Sequence, residues 1–264
     1  LNFKHAYKLT VSGFAFSYTT PFGFGGGPYR VMELGAHIGL ARATSSVVLY
    51  SMMHILSHIC LWSTAAVLFA IAYTEKMSPF VWGLFGLFSL AVLLVLVLFR
   101  LCYKKGLVVR LFQPLLHIPL LKHRMRRIYE KNLPAMQQVD DGVAYLHSQP
   151  RAFFLSLLWE YVARVVNALE YYFILLSLGV SLSFLDAVLV LAFSSLIGNL
   201  LFFLPMQLGA REGGLLMIVR ILGLSTSGIG IFTSLYTRVR ELVWICIGVS
   251  LVKVGNNKLM KEKS

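Results

Sequence analysis

The stretch Thr19–Leu34, TTPFGFGGGPYRVMEL, places two prolines, four glycines, an arginine and a glutamate inside an otherwise apolar region. A second stretch, Phe203–Gly214, FLPMQLGAREGG, follows the same plan: an apolar run, Pro205, Gly209, then Arg211 and Glu212, then another apolar run. In each, proline and glycine stop a hydrophobic helix, and a short amphipathic half-helix restarts with a basic and an acidic residue in its first turns. Hydrocarbon tolerates such backbone only where protein or a water-filled cavity surrounds it. Paired interruptions in corresponding places of two halves point to the binding site of a transporter built from repeats. The chain therefore reads as two halves around one polar site. Its hinges are Pro21, Gly25, Gly26, Gly27 and Pro28 in the first half and Pro205 and Gly209 in the second.

Composition agrees with a membrane setting. Of 264 residues, 58% are hydrophobic and only 13% charged, with a mean hydropathy of +0.74. No soluble domain of this size needs so much apolar surface, so the expected fold class is an all-α polytopic membrane protein. A net charge of +13 would suggest nucleic acid in a soluble protein. Here the positive residues lie between apolar segments, where they report topology and contact with anionic lipid, so no nucleic-acid partner is expected. Cys60, Cys102 and Cys246 lie within or at the ends of apolar runs and form neither a disulfide framework nor a CxxC site.

Working outward from the hinges, Phe3–Thr20 reads as a moderately apolar helix and Pro28–Leu40 as a half-helix too short to span. Ala43–Tyr73 is a long apolar run, and Phe80–Phe99 is the clearest spanning segment. Residues 100–150 form a basic linker, with LFQPLLHIPLL at the interface and HRMRRIYEK as a positive-inside signal. The second half, 151–264, holds apolar helices over Ala152–Leu178, Ser183–Leu204 and Ile229–Val252, with the half-helix Arg211–Leu222 between the last two. The domain plan is thus a first transmembrane half over 1–99, the linker over 100–150 and a second half over 151–264.

If the linker and the basic tail KVGNNKLMKEKS are both cytoplasmic, the module Phe3–Leu40 starts and ends inside, and the module Ser183–Leu224 starts and ends outside. Opposed modules are the signature of an inverted repeat carrying two Gly/Pro-broken re-entrant half-helices. A spanning helix precedes the second module but not the first, so the first half is expected either to lack an N-terminal helix or to be an imperfect repeat. The expected location is the cell membrane, crossed several times.

The Pro/Gly break followed by Arg and Glu, the basic middle loop, and the PxxxGxxE segment at Pro205, Gly209 and Glu212 carry a family resemblance. With the following LLMIVRILGLSTSGIGIFTSLYTRVRELVW, they resemble the transmembrane, flippase-like region of lysylphosphatidylglycerol synthases, in its stand-alone form. In those synthases the region is similar to a lipid flippase, and a separate soluble domain performs aminoacyl transfer. No such domain lies within these residues, so the resemblance implies transport rather than synthesis, without a cofactor. The chain departs from the family's compact first motif, because GFGGGPY separates Pro21 from Arg30 and Glu33.

A flippase needs arginines for phosphate, carboxylates for an amine or for neutralising those arginines, and half-helix N-termini that favour anions. Arg30 with Glu33, and Arg211 with Glu212, stand at the starts of the two half-helices as substrate-binding candidates. The structural alternative is that each pair is an internal salt bridge holding its hinge. Glu160, Arg164 and Asn167 share one face of their helix, with Glu170 at its edge, and Arg238 and Glu241 are similarly spaced on the last helix. Glu160, Arg164, Arg238 and Glu241 complete the candidate set. His54 and His58 form a helical HxxxH with no evident third ligand, so packing or hydrogen bonding is expected there rather than a metal. GFGGGP lacks the GK[ST] of a nucleotide loop and reads as close backbone approach and a hinge.

The expected function is a lipid flippase or transporter with no covalent chemistry. Its expected partner is an anionic or aminoacylated phospholipid or a lipid-linked saccharide. Two rivals stand beside it: an intramembrane glycosyl or phosphoryl transferase acting on a lipid-linked substrate with Glu33, Glu212 or Glu160 as base, and an accessory subunit of a cell-envelope glycosyltransferase, which would make an envelope-biosynthesis enzyme its partner. No DxD-like metal pair lies at a membrane boundary to support the former, since Asp140 and Asp141 sit in the linker.

Overall fold

A computed structural model describes residues 2–20, 23, 25–76, 79, scattered positions in 82–97 and 126–141, and then 149–201, 207, 209–224 and 228–261. Pro21, Pro205, part of the Phe80–Phe99 segment and most of the basic linker lie outside the described residues. Among the described residues the chain is helical and has no strand. In order, the helices are α1 (Phe3–Thr19), α2 (Gly26–Ile38), α3 (Leu40–Ala72), a 3-10 turn at Thr74–Lys76, α4 (Pro150–Ser177), α5 (Phe184–Leu200), α6 (Ala210–Leu222) and α7 (Ile229–Lys261).

Helix lengths separate two kinds of element. α3 and α4, with 33 and 28 residues, are long and apolar enough to cross a membrane, because roughly twenty apolar residues span the hydrocarbon. α2 and α6 have 13 residues each, about 20 Å at 1.5 Å per residue, well short of a hydrocarbon core of about 30 Å. Gly39, at φ 85°, separates α2 from α3, and α7 runs past the expected end at Val252 to Lys261.

Local chemistry sets several of these boundaries. Ser183 accepts a hydrogen bond from the Asp186 N–H at 3.2 Å, and the Asp186 carboxylate accepts from the Ser183 N–H at 2.9 Å. This reciprocal box satisfies two of the donors that a helix start leaves open. At the C-terminus of α6, Gly223 adopts a left-handed conformation, and the Leu224 N–H reaches the Val219 carbonyl at 2.9 Å, closing the last turn.

The described chain divides into two compact units, residues 1–34 with 164–264, and residues 35–163. In the first, α7 packs against α1 and α6, and α6 packs against α5. Leu175, Val190, Leu215 and Val219 are fully buried there. α7 is polar inside and apolar outside. Ile229, Thr233, Thr237 and Glu241, four residues apart, are buried together with Ser234, while Ile231, Phe232, Leu235, Val239, Leu242 and Val243 are exposed. Such a helix would be unstable on a water-facing surface and suits one bathed in lipid, which leaves its polar stripe to the protein interior.

α1 approaches its neighbours closely. The Ser12 hydroxyl donates to the Gly248 carbonyl at 3.1 Å. A Cβ on Gly26 would fall 1.9 Å from Ser17 Oγ and 2.5 Å from the Gly13 carbonyl oxygen. The close approach expected of the glycine cluster is therefore made at Gly26, and only glycine fits where backbone meets backbone at that distance.

Candidate functional site at the second hinge

The site begins with the backbone of Gly209. With φ 81° and ψ −40°, this residue occupies a region that side-chain-bearing residues enter only under strain. The turn aims the Gly209 N–H at Glu212 Oε2, 2.7 Å away. Gly-x-x-Glu is thus a capping arrangement, in which a carboxylate in the third helical position reaches back to the residue that starts the helix.

The other oxygen of Glu212 faces α7. Glu212 Oε1 accepts from Ser234 Oγ at 2.8 Å and from Arg238 Nε and Nη2 at 3.1 and 2.9 Å. One helical turn separates Ser234 from Arg238, so both reach the same oxygen. Arg211 turns to a different carboxylate: its Nη1 bonds Glu241 Oε1, with Tyr18 Oη of α1 at 3.4 Å. The two hinge residues therefore do not pair with each other, and neither do Arg238 and Glu241. The pairs are crossed between helices, Arg211 with Glu241 and Glu212 with Arg238.

A third arginine extends the cluster. Arg240 Nη1 lies 2.5 Å from Glu170 Oε2 of α4, and Arg240 Nη2 lies 3.9 Å from Glu241 Oε1. Among the described residues, three arginines and three glutamates thus share one region, with formal charges that cancel. The cluster is not fully satisfied. Both oxygens of Glu170, Arg240 Nε, Glu241 Oε2 and the Thr233 hydroxyl are buried with no hydrogen-bond partner among the described residues. The Arg240–Glu170 ion pair is close but lacks hydrogen-bond alignment. Such groups in a low-dielectric interior favour whatever supplies the missing partners.

The first hinge is built differently. Glu33 pairs with Lys8 of α1, 2.7 Å from its ammonium, rather than closing on Arg30. Arg30 lies against α1, where a Cβ on Gly13 would meet its Nε at 2.4 Å and its Cζ at 2.9 Å. Gly25, Gly27 and Pro28 lie at or within the start of α2.

In the unit 35–163, Glu160 Oε2 lies 3.6 Å from His54 Nδ1; Arg164, in the other unit, is half-buried. His54 belongs to an aromatic ladder along α3, Tyr50–His54–His58–Trp62, with ring centroids 5.7, 5.3 and 5.2 Å apart. The two histidines meet edge to face, a packing arrangement. Among the described residues no group of three His, Cys, Asp or Glu side chains could hold a metal ion. Beside Glu160, a groove of about 400 Å³ is lined by Tyr50, Met53, Phe153, Ser156 and Trp159, among others.

Of the eight binding candidates, the structure brings Arg211, Glu212, Arg238 and Glu241 into one cluster. Arg30 and Glu33 sit together at the α1–α2 contact. Tyr18, Ser234 and Arg240 join the second-hinge cluster without having been singled out from sequence, Glu170 joins it from the edge of its helix face, and Lys8 joins the first hinge. The four-residue spacing of Ser234 with Arg238 is a signal that could have found Ser234, whereas nothing local marks Tyr18.

No curated protein and no solved structure matches the chain. The family model described as the lysylphosphatidylglycerol synthase TM region matches residues 1–248. With α3 and α4 long and apolar enough to cross a bilayer, this makes the chain a helical membrane protein associated with lipid. Since the match spans nearly all of its length, the chain belongs to the family of the lysylphosphatidylglycerol synthase transmembrane region.

Proposed function

We propose that the protein moves a lipid headgroup between leaflets, without covalent chemistry, through the cluster at the second hinge. The observation that carries this reading is the crossed pairing of Arg211 and Glu212 of α6 with Glu241 and Arg238 of α7. A purely structural salt bridge needs one pair. Here three arginines lie beside buried acceptors and donors that lack hydrogen-bond partners among the described residues, two of them on α7, whose other face is apolar. Ionisable groups within membrane segments are costly and mark ligand pathways, and arginine is the side chain suited to phosphate.

In this reading the 13-residue helices α2 and α6 are re-entrant halves of two inverted modules, and the linker and C-terminus are cytoplasmic. The substrate is an anionic or aminoacylated phospholipid, or a lipid-linked saccharide, whose phosphate is held by Arg211. Its acyl chains stay in lipid.

The test is transport in proteoliposomes of fluorescent phosphatidylglycerol, a cationic aminoacyl derivative and a neutral lipid, with Arg211→Ala and Arg30→Ala beside the wild type. Headgroup-selective transport lost in Arg211→Ala supports the reading. Folded wild-type protein that moves no lipid overturns it and favours an enzyme acting on a lipid-linked substrate.

A further inference from the structure

We infer that Glu241 is an internal stand-in for the substrate phosphate: it pairs with Arg211 as the structure shows and is displaced onto Arg240 when a phosphodiester headgroup binds. The inference rests on the reading of the Arg211 cluster as a headgroup site.

Glu241 has a single position between two guanidinium groups. Its Oε1 bonds Arg211 Nη1 and lies 3.9 Å from Arg240 Nη2. Its side chain is 4% exposed, and Oε2 has no hydrogen-bond partner among the described residues. Arg240, the other guanidinium, carries a buried Nε in the same condition. This arrangement thus leaves one acceptor and one donor on adjacent residues unmatched among the described residues. A shift of the Glu241 carboxylate toward Arg240 would match them, turning a distant contact into the two-point geometry that arginine and carboxylate prefer.

What opposes the shift is Arg211. Left with the neutral Tyr18 Oη at 3.4 Å, its buried charge would lose its counterion, the costliest event in such a site. A phosphodiester removes that obstacle because it brings one negative charge and oxygens with the geometry that guanidinium recognises. Binding and rearrangement are therefore coupled: the headgroup takes Arg211, and the released carboxylate takes Arg240. Glu212 does not share this freedom, since Gly209 N–H, Ser234 and Arg238 hold both of its oxygens. Glu170 faces Arg240 from the opposite helix and competes with Glu241 for it, which keeps the displaced state from becoming permanent.

The arrangement makes Glu241 a specificity-determining residue. A headgroup must outcompete a carboxylate for Arg211, so neutral headgroups cannot open the site.

Binding of short-chain phosphatidylglycerol, of the matching diacylglycerol and of inorganic phosphate is measured on detergent-solubilised protein by intrinsic tryptophan fluorescence. Glu241→Gln removes the competitor and should tighten phosphatidylglycerol binding roughly tenfold, equivalent to about 1.4 kcal/mol. Arg240→Gln removes the receiving group with the Arg211–Glu241 pair intact, and should weaken binding. If the wild type binds while Glu241→Gln binds no tighter and Arg240→Gln no weaker, the stand-in role is overturned and the headgroup site survives. Wild-type protein that binds phosphatidylglycerol no better than diacylglycerol overturns both. Tightening seen with inorganic phosphate alone overturns the assignment to a lipid headgroup.

Discussion

Arg238 holds Glu212 across the α6–α7 contact, with Nε and Nη2 on one carboxylate oxygen at 3.1 and 2.9 Å, while the other oxygen caps the start of α6 at Gly209. A single side chain therefore both begins a helix and fastens it to its neighbour. Its removal has two separable effects.

Glu212→Ala removes the cap, worth about 1 kcal/mol, and also strips the counterion from Arg238. Glu212→Gln keeps a side chain able to cap and loses only the charge pair. Thermal unfolding in detergent, followed by tryptophan fluorescence, should give the order wild type, Glu212→Gln, Glu212→Ala from most to least stable. Equal melting of the two variants would contradict the capping role.

Gly209→Ala forces a Cβ into a positive-φ conformation and should destabilise by about 1–3 kcal/mol. Among the described residues nothing beyond its chain neighbours and its own helix's backbone lies within 4 Å of the added methyl, so the loss comes from backbone strain rather than a clash. A variant as stable as wild type by the same melting assay would show that the turn at Gly209 is not held.

Gly26→Ala is expected to cost about 1–3 kcal/mol through overpacking against α1. Trimming the side chain it meets, by Ser17→Ala, should not restore stability. The Gly13 carbonyl oxygen would still lie 2.5 Å from the new methyl. Full rescue by Ser17→Ala would mean that the two backbones do not approach as described.

The crossed pairing is testable by double-mutant cycles. Arg211→Gln with Glu241→Gln, and Arg238→Gln with Glu212→Gln, should each show coupling of about 0.5–3 kcal/mol, with the chain neighbours Arg211 and Glu212 coupling less. The reverse order would indicate that each hinge is held by its own adjacent charges.

Much of the helix plan can be read from the residues. α3, α4 and α5 are apolar runs bounded by turn residues, and the start of α6 follows from Gly209 and Glu212 in a capping spacing. The partners of the charges cannot be read in the same way. Local periodicity joins residues three or four apart, so it points to Arg238 with Glu241. The structure instead joins Arg211 to Glu241 across 30 positions and sets Tyr18 beside Arg211 across 193. Contacts at that separation are set by which helices pack, and a single chain carries no periodic record of packing. The first hinge shows the same limit, because Lys8, on the preceding helix, takes the glutamate that stands three residues from Arg30.

The cancelling charges of the second-hinge cluster also bear on how the protein responds to voltage. Moving one elementary charge across a membrane potential is worth about 2.3 kcal/mol per 100 mV. If Glu241 passes as proposed from one guanidinium to another only ångströms away, it shifts its charge through a small fraction of the field. The proposed machinery would then be nearly indifferent to the electrical state of the membrane. In the proposed transport, an electric field would act chiefly on the cargo, driving a charged headgroup in one direction and leaving a zwitterionic one to follow its concentration gradient.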